Sequence, residues 1–102
     1  MSLQKRYLKS RPLSKVTFRL PAAAVPDGAK VNLVGDFNDW DPELTPMTQL
    51  KSGEYKVTLD LPIDHDYAFR YLINGQQWEN DWDADLYTPT GLGTEENSVV
   101  TV

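Results

Sequence analysis

The 102-residue sequence contains no cysteine. A disulfide framework, a thiolate nucleophile and a thiolate metal site are therefore excluded. It has one histidine, His65 in Ile63-Asp64-His65-Asp66, which reads as a solvent-facing hairpin turn and leaves little basis for a triad or an imidazole acid–base pair. No apolar run approaches the ~18–20 residues that cross a bilayer, so no membrane partner is expected. The N-terminus lacks the apolar core of a secretory signal, and the expected compartment is the cytoplasm. No segment carries a capped apolar stripe at helical spacing. Internal repeats, low-complexity tracts and a glycine-rich phosphate loop are missing as well, and no cofactor is expected.

Positive charge is scarce beyond the N-terminus. Residues 1–14 hold Lys5, Arg6, Lys9 and Arg11 and no acid, leaving six bases against fifteen acids, or −9, in a chain of net charge −5. A phosphate backbone would be repelled by most of the molecule, so nucleic acid is not an expected partner. Residues 1–14 read as a basic, solvated arm, and residues 15–102 as one domain with a core of modest size.

What is present is alternation of period two. Val16, Phe18 and Leu20 share one face against Thr17 and Arg19; Lys30–Val34 is rich in Val and Leu. Tyr55, Val57, Leu59 and Leu61 alternate with Lys56, Thr58 and Asp60. Tyr67, Phe69, Tyr71 and Ile73 alternate with Ala68, Arg70, Leu72 and Asn74, and the chain ends in the β-prone Val99–Val102. Short strands separated by turn residues, such as Pro26-Asp27-Gly28 and Asn74-Gly75, predict an all-β sandwich. The segments near 35–49 and 76–97 read as long irregular loops, and their aromatic content makes them the place to look for function.

Trp40 lies in Gly35-Asp36-Phe37-Asn38-Asp39-Trp40-Asp41-Pro42, among acids and turn formers. Phe37 is the better core candidate. The Trp40 indole either stacks on the C–H face of a sugar ring, with its N–H free to meet a hydroxyl, or packs back over the sandwich rim; both readings stand. Trp78 follows the Asn74-Gly75 turn. If the two loops meet, the two indoles form a platform, with Gln76, Gln77, Asn80 and Asp81 supplying hydroxyl contacts. Trp82 either extends that platform or, the better fit to its place, plugs the end of the core. Arg70 interrupts an apolar strand and either spans hydroxyls or is a solvated, acid-paired strand charge. Asp81, Asp83 and Asp85 open like a calcium loop, but Leu86 and Leu92 stand where that loop needs Gly and Glu, so no metal site is expected. Fifteen acids make chance carboxylate pairs easy, yet so short a chain has little surface for an enclosing glycosidase cleft. No catalytic residue is expected.

The string Val31–Pro42, VNLVGDFNDWDP, resembles the signature of carbohydrate-binding module family 48. GEYKVTLDLP, AFRYLINGQQW and LGTEENSVVTV follow in that family's order, so the resemblance covers about residues 15–102. The family includes the N-terminal domains of isoamylases and glycogen branching enzymes and the glycogen-binding domain of the AMP-activated protein kinase beta subunit. The resemblance implies an immunoglobulin-like β-sandwich that binds α-1,4-linked glucans such as glycogen, starch and maltooligosaccharides without catalysis. It further implies that Trp40 and Trp78 stack on sugar, that Arg70 takes the place of a sugar-contacting lysine, that Leu92 and Thr94 reach over the ligand, and that Asn97 binds hydroxyls. The Gly75–Trp78 turn and the Glu95-Glu96 pair are each one residue longer than in the kinase-type pattern. From its MSLQKRYLKSRP opening onward the chain is similar to small free-standing bacterial members of the family. The competing reading is a protein-interaction module without a sugar site, partnered with a glucan-metabolising enzyme of the glycoside hydrolase family 13 type.

Overall fold

The computed structural model describes residues 3–91 and 95–102. The alternation at the start of the domain becomes strand β2 (Leu13–Leu20), with Val16, Phe18 and Leu20 buried. Strand β1 (Leu3–Tyr7) precedes it. Then come β3 (Val31–Gly35), β4 (Thr48–Gln49), β5 (Tyr55–Pro62), β6 (Asp66–Ile73), β7 (Gln77–Glu79), β8 (Leu86–Pro89) and β9 (Glu96–Thr101). They form two antiparallel sheets, ordered β1-β2-β5-β4 and β3-β6-β9-β8, with β7 also paired to β6. The sheets pack face to face as a β-sandwich of the immunoglobulin type, the architecture expected from the sequence.

The core is the set of inward positions on both sheets. Phe18 meets Phe69 edge-on at 5.1 Å between ring centroids, Phe69 meets Tyr71 at 5.8 Å, and Phe37 closes the row against Phe18 at 5.5 Å. Edge-to-face contacts of this kind are the favoured aromatic geometry. A buried hydroxyl needs a partner, and the Tyr71 hydroxyl donates to Asp81 Oδ2 at 2.7 Å.

Two expectations need correction. Residues 3–7 are not a solvated arm: they pair with β2, Leu3 is buried, and Lys5 Nζ lies 2.6 Å from Asp85 Oδ2. The local charge hid an edge strand whose stability comes from its neighbour and from one cross-molecule ion pair. The segment 76–97 is not irregular either, since it contains β7 and β8. Both strands are too short and polar to show a period of their own, and take their form from pairing with β6 and β9.

Candidate functional site

Alternation along β6 sends Phe69, Tyr71 and Ile73 into the core, and so places Asp66, Ala68, Arg70 and Leu72 on the outer face of the second sheet. Register supplies their neighbours. Val34 of β3 stands beside Arg70, Trp78 of β7 beside Leu72, and Val99 of β9 beside Ala68. Asn97 is next to Ser98, the partner of Phe69, and pairs with Thr88 of β8, so it shares that outer face.

Arg70 occupies a gap. The β6–β9 register stops at Phe69↔Ser98 and the β6–β7 register begins at Tyr71↔Glu79. At that break the Glu96 carbonyl accepts from Arg70 Nη2 at 2.7 Å and from Asn80 Nδ2 at 2.8 Å. The Arg70 side chain is only 14% exposed, and Glu95 Oε2 is 4.0 Å away. Its Nε is buried with no hydrogen-bond partner among the described residues. It is thus a largely buried guanidinium, held by the Glu96 carbonyl and paired with Glu95.

Trp40 is delivered by a loop that its own sequence locks. Gly35 is required by close approach: a Cβ there would lie 2.5 Å from the Ala68 carbonyl oxygen. Asn38 is buried; its Oδ1 accepts from the Gly35 amide at 3.0 Å, and its Nδ2 donates to the Leu33 carbonyl at 2.9 Å. Asp39 and Trp40 then take φ of 56° and 57°, a left-handed conformation that costs a bulky residue ~1–3 kcal/mol. The Trp40 N–H donates to Asp36 Oδ1 at 2.8 Å, while Asp36 Oδ2 accepts from the Ala68 amide at 2.8 Å. The indole N–H is therefore not free for a ligand, contrary to expectation, and what Trp40 offers is the face of its ring.

Trp78 reaches the same surface through the Asn74-Gly75 turn, where both residues have positive φ as that dipeptide favours. The turn takes up Asn74, Gly75 and Gln76, so that Ile73 pairs with Gln77 and Trp78 stands opposite Leu72. Trp78 is 45% exposed and Trp40 half-buried. The two indoles, Arg70 and Asn97 line one shallow recess of about 240 Å³ with Thr90 and Glu95. An adjoining recess of about 280 Å³ shares Arg70, Trp78 and Glu95 and adds Asn80.

Residues 8–88 match the family model for Carbohydrate-binding module 48 (Isoamylase N-terminal domain). The chain belongs to this family. Its members are non-catalytic binding modules. No curated protein gives a significant match to the chain. The stretch that matches the carbohydrate-binding module contains Trp40, Arg70 and Trp78 and ends short of Asn97.

The remaining sequence expectations divide. Leu92 and Thr94 lie outside the described residues. Asp81 is 2% exposed, accepting from Tyr71 and from the Asp83 amide at 2.8 Å, so it braces the core rather than offering hydroxyl contacts. Burial comes first, and the Asp81 charge and hydrogen bond second, in pushing the Tyr71 phenol well above its ordinary value. Asn80 is also committed, its Oδ1 accepting from the Ser98 amide at 2.9 Å. Gln77 falls on the side of β7 opposite Trp78. Trp82 does not plug the core: it is 57% exposed, because Asp81 takes the inward position before it. Asp85 binds Lys5 and the Thr101 amide, which accounts for the third acid of the calcium-like run. His65 is exposed beside β6. Sequence reasoning missed Thr90 and Glu95 as neighbours of the indoles and Val34 as the neighbour of Arg70; only strand register could have found Val34.

Proposed function

We propose that this chain is a non-catalytic module that binds α-1,4-linked glucans, such as glycogen, starch or maltooligosaccharides. The observation that carries the reading is the convergence of Trp40 and Trp78 on one open recess with Arg70 and Asn97. Two indole faces suit the apolar C–H faces of successive glucose rings. Trp40 contributes its ring alone, since its N–H is held by Asp36. Arg70 and Asn97 provide fixed donors and an acceptor for hydroxyls. Leu92 and Thr94, which the family resemblance assigns to the loop over the ligand, would add a cover to an otherwise shallow site. An open, polar site of this kind predicts affinities of ~1 µM to 1 mM.

Titration with maltoheptaose, followed by calorimetry and by amide chemical shifts, tests this directly. Binding should be saturable and weakened in Trp40→Ala and Trp78→Ala. Absence of heat and of shifts at millimolar oligosaccharide would sink the proposal.

The exposed Trp82 and Leu44, at 57% and 62%, favour a second reading in which the domain also docks on a glucan-metabolising enzyme, for instance of the glycoside hydrolase family 13 type. Capture of such an enzyme that is lost in Trp82→Ala but survives Trp78→Ala would separate that role from sugar binding.

A further inference from the structure

The outer face of the second sheet does not end at Arg70. One step further along β6, Ala68 pairs with Val99, and Val99 pairs with Leu86 of β8. These three side chains form a cross-strand row on the same face, about 7 Å from the Arg70–Asn97 row by strand rise. They floor a recess of about 380 Å³ bordered by Asp36, Asp66, Tyr87 and Thr88. Val99 is buried beneath the surface, whereas Leu86 and Tyr87 are 53% and 43% exposed.

Asp36 borders this recess; one of its oxygens holds the indole of Trp40, which lines the first recess, and the other accepts from the Ala68 amide. The two recesses occupy adjacent rows of one sheet face, since Thr88 of the second pairs with Asn97 of the first. Asp66 makes no side-chain hydrogen bond or ion pair among the described residues, which leaves a carboxylate at the edge of an apolar floor with both oxygens open to donors.

We infer that this second recess is an extension of the glucan site, taking further glucose units of the same chain beyond those stacked on Trp40 and Trp78. This rests on the glucan-binding reading above. The chemistry fits a neutral sugar. The small Ala68 side chain and the Leu86 and Val99 methyls give a flat apolar floor for a ring face, and the Asp66 carboxylate is an acceptor for a pair of hydroxyls. Asp36 and Asp66 repel anionic ligands, so an acidic or phosphorylated saccharide is disfavoured at this end. Among the described residues no cation borders the recess.

The experiment compares maltotriose with maltoheptaose on the intact chain by amide chemical-shift mapping and calorimetry. Both sugars should shift amides around Arg70, Trp78 and Asn97, and only the longer one should also shift those of Asp66, Ala68, Leu86 and Val99. Maltoheptaose should bind roughly five-fold tighter than maltotriose, the scale of one added hydrogen bond with modest apolar burial. In Asp66→Ala and in Leu86→Ser that ratio should fall toward one, with the amide spectrum reporting retention of the fold. Identical shift sets for the two sugars, or a ratio unaffected by both substitutions, would overturn the extension and leave the Trp40–Trp78 site standing. Absence of shifts near Trp78 with either sugar would instead remove the glucan reading and the extension with it.

Discussion

The outer faces of the two sheets are built from the same alternating pattern but finished differently. On the first sheet Lys15 reaches Asp60 at 3.1 Å, Thr17 meets Thr58 at 2.9 Å, and Arg19 bonds Glu54 at 2.5 Å and Gln4 at 3.3 Å. Polar groups there are used by cross-strand neighbours, which is how a solvated sheet face satisfies itself. The second sheet instead presents Trp78 and Leu86 to solvent and, among the described residues, buries the Arg70 Nε without a partner and leaves Asp66 uncommitted. A face meant only for water would resemble the first. The unfinished valences on the second are what a ligand of mixed ring faces and hydroxyls would complete.

The largest effect is expected beneath the second face rather than on it. Asp81 is buried and holds the Tyr71 hydroxyl and the Asp83 amide, so Asp81→Ala removes the acceptor of both donors, one of them at the core. A loss of about 3 kcal/mol in urea unfolding is expected. A change under ~1 kcal/mol would mean that the platform does not depend on this brace. The raised Tyr71 phenol adds a pH signature. Its folded form stays protonated, so stability is fully present below the unfolded value of about 10 and is lost as pH rises beyond it. Tyr71→Phe should flatten that alkaline decline.

Next in size are the indoles. Trp78→Ala and Trp40→Ala should each weaken maltoheptaose at least ~10-fold, the loss of one stacking face. Asp36→Ala should act through Trp40, since it releases the indole N–H and the Ala68 amide together. We expect a roughly three-fold loss of affinity with a shift in tryptophan fluorescence that reports the freed ring. A fluorescence change without an affinity change would show that the Asp36 clamp does not position the ring for binding.

How much of this was legible in the sequence follows from which forces are local. The five strands whose alternation is long enough to set an inside and an outside, β2, β3, β5, β6 and β9, could be read directly. The turn at Asn74-Gly75 could be read because those residues tolerate positive φ. Trp40, Arg70 and Trp78 stood out as large groups in polar surroundings. Strands β1, β4, β7 and β8 did not, because each is short or polar and owes its form to a partner distant in sequence. For the same reason the inward turn of Asp81 is not legible: composition makes the acid the exposed one and leaves Trp82 undecided between core and surface, and only the Tyr71 hydroxyl, ten residues away, explains why Asp81 turns inward. The Ala68–Val99–Leu86 row is likewise a product of register, invisible until three strands are aligned.

The smallest effects test the finished character of the first sheet. At its edge, partial burial pushes the Asp85 carboxyl up, but the Lys5 ammonium and the Thr101 amide together hold it below its ordinary value. Its contribution is therefore present above about pH 4, the unfolded value, and is lost as pH falls through the lower folded one. Asp85→Asn should cost about 1 kcal/mol at pH 7, after allowance for screening at this partly exposed site, and much less at pH 3. Out on the open face, Lys15 and Asp60 are about half exposed, so Lys15→Ala should change stability by only about 0.3 kcal/mol, with maltoheptaose affinity unmoved. That pair of null results is informative because Lys15 and Trp78 occupy equivalent outward positions on opposite sheets. If removing Lys15 weakened the sugar as much as removing Trp78, the ligand would be bound through the charge of the whole molecule and not by the rings, and the contrast between the two faces would lose its meaning.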